Sequence, residues 1–374
     1  MSSTPITNPN IQVQPKVKGS NSGAGRQLPL LQHLGLQAFC LLVAFTVLFP
    51  IMWIVSMSLD PRNIARPTEL RLIPPGASLE AYAAVLDKPT ANPVTFRELA
   101  FNSFKLAAGV SVMAVLIGVS AAYAFSRFKF MGRQSLMIAV LAITVIPGVA
   151  TIAPLFAMLN GIRTSVNVIN LIFIAFGGFV ILFTALLAYP NFREGNFTLA
   201  TIGFPLLGLA FGSYVLSQGF FPETNKQFIL RDSLLGVGIG MISGALPFAI
   251  WNLKGYLDTI PKELEEAAII DGATPNQIFF QIILPLSVPA LAVTGFLGFM
   301  GGWTEFFLSW QFLTKPKDFT LAMALWNMTG QYAGSVPWSK FAAMSILVSL
   351  PVAIVYLSLQ RYIVGGLTLG GVKG

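Results

Sequence analysis

The 374-residue sequence holds one cysteine, Cys40, and one histidine, His33, and only 10% of its residues are charged. A single cysteine excludes a disulfide within the chain, and a single histidine excludes a two-histidine metal site. Both fall at or in the first apolar segment, where lone residues of these types usually pack or sit at an interface, and no Cys–His pair is placed for nucleophilic catalysis. No G-x-x-x-x-G-K-[ST] run occurs, so the chain has no phosphate-cradling loop of its own. A soluble domain carries about 25% charged residues. The scarcity of charge, with 55% hydrophobic residues and a mean hydropathy of +0.72, points instead to an integral membrane protein built of helices. The net charge of +8 is not gathered into a basic cluster that could face a duplex, so nucleic acid is not an expected partner. The excess fits the bias of basic residues toward cytoplasmic loops.

Residues 1–30 are rich in Ser, Asn, Pro and Gln, with Lys16, Lys18 and Arg26 and no acid. They read as a disordered basic tail, not a signal peptide. A span needs about 20 mostly apolar residues. Candidates fall at 34–58, 103–126, 135–159, 167–189, 199–217, 233–252, 289–312 and 340–360. With the tail inside, the loop carrying Arg127, Lys129 and Arg133 is also inside, as is the carboxy terminus with Arg361 and Lys373. Segment 59–102 then lies outside, its acids and bases balanced. Small residues one turn apart, Gly240 with Gly244 and Gly298 with Gly302, are expected to let helices approach closely.

One stretch does not suit lipid: "EEAAIIDGATPNQIFFQIILPLSVPA", Glu265 to Ala290. A helix is expected from Thr259 to Ile270, with Pro261 in its first turn and Glu263 and Glu265 opposing the positive helix end. Gly272 is placed to close it in the left-handed conformation. Thr274 and Gln277 then form a capping box, with Pro275 at the first helical position. A second helix runs through Ile278, Phe279, Ile282 and Ile283 until Pro285 ends it. Neither helix is long enough to span. Ala267 and Ala268 strip bulk from the first helix, so another protein's groove can close on it. Glu266 and Asp271 offer charge to arginine or backbone donors of a partner. A helix lying on lipid would normally carry lysine on its polar face, and this one is acidic.

The pattern Glu266-Ala-Ala-x-x-Asp271-Gly-Ala followed by Ile282-x-Leu284-Pro-Leu-x-x-Pro289 resembles the EAA loop of permease subunits in bacterial ABC importers. The runs "GGWTEFFLSW" and "LQRYIVGGLTLGGVKG" are similar to the carbohydrate branch, especially the smaller permease of maltose-type transporters. The resemblance covers about residues 35–160 and 233–374. It implies an all-α membrane protein with the type I importer transmembrane domain in 103–374, preceded by a first span and external segment in 31–102. Residues 259–289 would be the cytoplasmic coupling loop. Glu266, Ala267, Ala268 and Asp271 would dock in a cleft of an ATP-hydrolysing subunit, Gly272 and Ala273 would make the turn, and Leu284, Pro285 and Pro289 would connect to the next span. The implied partners are a second permease, two copies of the ATPase and an external substrate-binding protein. ATP and magnesium would be held by the ATPase, this chain binding no cofactor. The implied site is the bacterial cytoplasmic membrane, with both termini inside. The tail glycines Gly365, Gly366, Gly370 and Gly371 either reach the ATPases or fray.

The sequence departs from the family in the middle. Permeases of the branch have six spans, whereas here about 70 residues, 163–232, intervene between the third and fourth. Two apolar runs in them imply an inserted transmembrane hairpin with its turn at Pro190–Asn196, giving about eight spans. Glu305 would sit inside the seventh span, where a charge costs roughly 2.5–3.5 kcal/mol on insertion scales. It reads either as a substrate-path residue or as a helix-end carboxylate. Trp303, Phe306, Phe307 and Trp310 either stack on sugar rings or form an interfacial aromatic belt. Trp326, Tyr332 and Trp338 in the external segment 313–339 are candidate contacts for the binding protein. An ion-coupled carrier would need a mate for Glu305, and an intramembrane enzyme would need paired carboxylates, metal ligands or a Ser–His pair; neither is apparent.

Overall fold

The structure is a computed structural model describing residues 30–64, 71–193, 199–218, 227–329 and 336–371. The expected disordered tail before Leu30, the distal part of the expected turn at Pro190–Asn196, and Tyr332 lie outside the described residues. The chain divides into two compact units, Met1–Trp53 and Ile54–Gly374.

Helix α1, Leu30–Ser58, has no Asp, Glu, Lys or Arg anywhere along it. Four-residue spacing lines up Phe45, Phe49 and Trp53, with successive ring centroids 5.6 and 6.3 Å apart. Pro50 interrupts its hydrogen bonding without ending the helix.

The second unit is built around α3, Phe96–Arg127, which follows a short helix α2, Glu80–Asp87. A capping box starts α3: the Thr95 amide donates to Glu98 Oε2 at 2.8 Å, and the Glu98 amide to Thr95 Oγ1 at 3.3 Å. Helices α4, Arg133–Ile143, and α5, Gly148–Gly161, follow. The expected span 135–159 is thus two helices meeting at a 98° bend. Pro147 is the cause, because it pushes the residue before it away from helical geometry. Beyond the middle segment come α8, Leu234–Leu257; α9, Glu263–Ile270; α10, Pro275–Leu286; α11, Val288–Thr304; α12, Phe307–Phe312; α13, Leu321–Met328; and α14, Trp338–Gly371. The expected span 289–312 ends early, since Glu305 is extended and separates α11 from α12.

Among the described residues, four helices are each long and apolar enough to cross a membrane: residues 32–58 of α1, α3, α8, and residues 338–362 of α14. The bent pairs α4–α5 and α10–α11 raise the number to six. Helix α3 is the most buried of the four. A methyl group placed on Gly298 would stand 2.9 Å from Ser111 Cα, and one on Gly118 3.1 Å from Leu253 Cδ1. Ser111 Oγ also donates to the Gly295 carbonyl at 2.7 Å. Such interhelical bonds average only about 0.6 kcal/mol in membranes, so close packing is the larger contribution. Gly240 is likewise crowded by Leu155, whereas an added methyl on Gly244 would have nothing within 4 Å among the described residues.

The intervening segment forms helices α6, Val166–Arg193, and α7, Leu199–Gln218. They run antiparallel: Gly177 meets Gly212 and Leu216, while Thr184 meets Gly208. A short antiparallel ribbon closes their base, β1, Arg163–Ser165, pairing with β2, Gln227–Ile229, and Ser165 opposite Gln227. The segment rests on one side of α3, where Val180 and Phe211 pack with Ala108, Val112 and Leu116.

Candidate functional site

Helix α9 and the start of α10 form the paired structure expected of residues 259–289, with three differences. The amides of Glu265 and Glu266 both donate to the Lys262 carbonyl, at 2.9 and 3.0 Å, so the helix begins after Pro261 and not around it. Its first turn carries Glu263, Glu265 and Glu266, favourable to the helix dipole. At the other end Gly272 has φ of +82°. The Ala273 amide donates to the Ala268 carbonyl at 2.9 Å and the Gly272 amide to Ile269 at 3.0 Å, which is the Schellman closure. Thr274 and Gln277 make the expected capping box, the Thr274 amide reaching Gln277 Oε1 at 2.8 Å.

The second difference lies in α10. Residues Ile278–Ile283 are wound as a π-helix, and the Leu284 amide bonds the Phe279 carbonyl. The wider turn accommodates Pro285, whose ring would otherwise press on the carbonyl four residues earlier. Pro285 therefore does not end the helix; the 73° break comes at Ser287, whose hydroxyl donates to the Ile283 carbonyl at 2.6 Å.

Third, the alanines separate. Glu266, Ala267, Asp271 and Gly272 are exposed, Ala273 is half-buried, and Ala268 is only 8% exposed. Ala268 packs inward with Val119 and Ala122 of α3, Leu253 and Leu257 of α8, and Ile278, Ile283 and Leu284 of α10. It lies off the docking face because it shares the inner stripe of α9 with Glu265, three residues away. Leu284 is buried in the same cluster, Pro285 is exposed and Pro289 half-buried. The outward stripe pairs Glu266 with Ile270 and Ala267 with Asp271, each one turn apart. Ile270 is 86% exposed. Reading the motif alone missed this apolar knob between two acids, although an isoleucine pair in a short solvent-facing helix was its signal.

Beneath α9 the ends of three helices meet in a polar network. Arg127, the last residue of α3, pairs through Nε with Glu265, and the two side chains are 6% and 14% exposed. Arg127 Nη2 also donates to the Ile260 carbonyl at 3.1 Å, and Nη1 to Ser126 Oγ at 3.2 Å. Ser126 in turn donates to Asp258 Oδ1 at 2.6 Å, while Lys254 pairs with Asp258 Oδ2. Burial raises the Asp258 carboxyl, but the Lys254 and Ser126 hydrogen bonds outweigh it and hold it below the usual carboxylate range. In sequence Arg127 registers only as a basic residue at a span end, because its partner is 138 residues away.

Of the candidate substrate-path residues, Glu305, Phe306 and Phe307 lie side by side and half-buried, while Trp303 is set apart in the core. Trp303 is 3% exposed, stacks on Phe299 and donates Nε1–H to the Val348 carbonyl at 2.8 Å, so a solute has no access to it. The Glu305 carboxylate accepts from the amides of Leu308 and Ser309 at 2.6 and 3.0 Å and from Ser309 Oγ at 2.7 Å. It caps α12, which favours the helix-end reading and places it at a break, not inside a span. Phe306 stacks on Trp326 with centroids 5.0 Å apart and meets Phe307 edge-on at 6.1 Å. Trp310 and Trp326 are exposed, and Trp338 packs edge-on against Phe341. Among the described residues, no group of three His, Cys, Asp or Glu side chains could hold a metal ion.

An all-helical membrane core that carries a capped helix pair between two spans has the architecture of the transmembrane permease of an ABC importer. The chain belongs to the family of binding-protein-dependent transport system inner membrane components, whose model matches residues 114–368. It is 31% identical over 350 residues to the maltose/maltodextrin transport system permease protein MalG of Vibrio vulnificus, covering 91% of this chain and 95% of that protein. To the galactooligosaccharides transport system permease protein GanQ of Bacillus subtilis it is 31% identical, covering 93% and 97%. To the trehalose transport system permease protein SugB of Mycobacterium tuberculosis it is 28% identical, covering 89% and 95%. The fold is shared with a chain in the crystal structure of a bacterial ABC transporter involved in import of the acidic polysaccharide alginate. The TM-score is 0.55 at 20% identity, over 89% of this chain and 96% of that one.

Proposed function

We propose that this chain is the membrane-spanning permease of a binding-protein-dependent sugar importer, with a maltose- or maltodextrin-like oligosaccharide as its first candidate substrate. It is a transport subunit and not an enzyme. The outward stripe Glu266–Ala267–Ile270–Asp271, held on a helix closed by Gly272, carries this reading. Two carboxylates flanking a small residue and an apolar knob suit a groove with basic or backbone donors at its ends and an apolar floor. The occupant of that role is a cytoplasmic ATPase, present in two copies, which alone holds ATP and magnesium. A second permease completes the pathway, and an external binding protein delivers the sugar, with Trp326, Tyr332 and Trp338 as candidate contacts. The chain lies in the cytoplasmic membrane with both termini and residues 259–289 inside, and α6 and α7 add two further spans.

The sugar class is supported by the relatives named for maltodextrin, galactooligosaccharide and trehalose transport. An ABC permease for another solute is the alternative. An ion-coupled carrier using Glu305 is disfavoured, because that carboxylate is occupied in capping α12. The test is uptake of labelled maltodextrin by cells carrying Glu266→Lys or Gly272→Val. Loss of uptake with the protein still in the membrane is expected. The position at Gly272 is open, with nothing within 4 Å of an added methyl, so the penalty is conformational. Gly272→Asn should therefore retain more uptake than Gly272→Val, since asparagine tolerates the left-handed region. Wild-type uptake in both severe variants would overturn the reading.

A further inference from the structure

We propose that Arg127 is a positioning residue through which movement of the docked helix α9 enters α3, in addition to the direct path through α10 into α11. This inference rests on the coupling role proposed above. Adjacent on α9 and about 100° apart around its axis, Glu265 turns inward to Arg127 while Glu266 is exposed, so the docking stripe lies beside the Arg127–Glu265 pair. Apart from that pair, α9 presents little more than the Ala268 methyl to the α3 end of the cluster. The guanidinium is fixed in three directions at once, to Glu265, the Ile260 carbonyl and Ser126. Its charge-assisted bonds resist separation as well as approach, and more strongly than the single Ala268 methyl contact does. A buried ion pair is weak evidence for stability as such, since apolar residues of similar volume commonly hold as well.

The two paths reconverge. Tyr123, one turn before Arg127, donates to Glu265 at 3.4 Å and lies 4.9 Å, ring to ring, from Phe279 in the π-helical turn. Further along, α3 is locked to α11 at Gly298 and Gly302. Helices α3, α9, α10 and α11 thus form a closed circuit, and a displacement of α9 moves α3 and α11 together.

The test uses the importer assembled with its partner subunits, in a Cys40→Ser background with a fluorescent probe on Ser120→Cys, an exposed site on α3. ATP should change the probe signal, and this readout requires no knowledge of the transported sugar. Arg127→Gln should reduce that change about tenfold while the complex still assembles and hydrolyses ATP. Arg127→Lys should be intermediate, and the exchange Arg127→Glu with Glu265→Arg, which rebuilds the ion pair but leaves the Ile260 carbonyl without its donor, should restore only part of the signal. An unchanged signal in Arg127→Gln, or none in the parent protein, would overturn the proposal. So would failure of every variant, including Arg127→Lys and the exchange, to assemble, since the pair would then serve folding alone. Glu266→Lys separates the two ideas. If it leaves the ATP response intact, the coupling reading fails; if it abolishes the response while Arg127→Gln does not, only the Arg127 path fails.

Discussion

Gly302 of α11 lies so close to Ala107 of α3 that a methyl group added to it would stand 2.6 Å from the Ala107 Cα. Gly298, one turn earlier, bears the same relation to Ser111. Both obstacles are backbone atoms, which cannot swing aside as a side chain can. Gly302→Ala and Gly298→Ala should therefore each force α3 and α11 apart and destabilise the protein by about 1–3 kcal/mol. Gly244→Ala, with open space around it, should be neutral. Thermal unfolding of the purified protein in detergent distinguishes the three, and equal stability would refute the close-packing account.

Glu305 provides a second test, because its position in the sequence suggests a solute path and its contacts suggest a cap. Its two oxygens receive three hydrogen bonds from the first turn of α12. Glu305→Ala should lower stability by about 1–2 kcal/mol, the usual cost of a lost cap. Uptake by the protein that remains folded should keep the wild-type KM. A raised KM without loss of stability would restore the substrate-path reading.

What the sequence made legible follows from the range of each interaction. The capping box at Thr274–Gln277 and the closure at Gly272 are settled by residues a few positions apart, so local pattern sufficed. The π-helical turn before Pro285 was not legible, because proline announces a problem without saying whether the chain breaks or widens. Arg127 and Glu265 meet only after α8 and α3 have packed, and neither carries a mark of its partner. The burial of Ala268 depends on the rotation of α9 about its axis, which the apolar α3 and α8 ends set from outside the motif. Three-residue strands such as β1 and β2 have too few residues for any alternation to show.

Asp232, between β2 and α8, ties that junction to the segment after α12. Thr314 donates to it through its amide at 2.8 Å and its hydroxyl at 2.9 Å, and Lys315 Nζ lies 3.2 Å away. Burial raises the Asp232 carboxyl, but these bonds and the Lys315 charge outweigh it and hold the group below its ordinary value. The folded-state pKa is therefore below the unfolded value of about 3.9. Its contribution to stability is complete above that value and is lost as pH falls through the lower, folded pKa. Between pH 8 and 5 this carboxylate should add no pH dependence. Asp232→Asn should be less stable than wild type at pH 7, and the gap should narrow below about pH 4. Thermal unfolding across pH decides it, and a constant gap down to pH 3 would contradict the assignment.

The ribbon at the base of α6 and α7 makes a prediction about the inserted segment itself. Ser165 stands directly opposite Gln227, so the chain leaves and re-enters the permease core at paired positions. A two-residue Asn-Gly turn joining Ser165 to Gln227 satisfies the geometry of a tight hairpin and removes everything from Val166 to Lys226. Excision would bare Ala108, Val112 and Leu116 on α3. In water such exposure would be costly, but lipid chains are as apolar as leucine and cover the face without penalty. The shortened protein should therefore reach the membrane at wild-type levels and retain uptake. Loss of the protein would show that the insert is part of the folding core. Normal assembly without uptake would show that the added helices act in transport, and the same excision therefore separates packing from function.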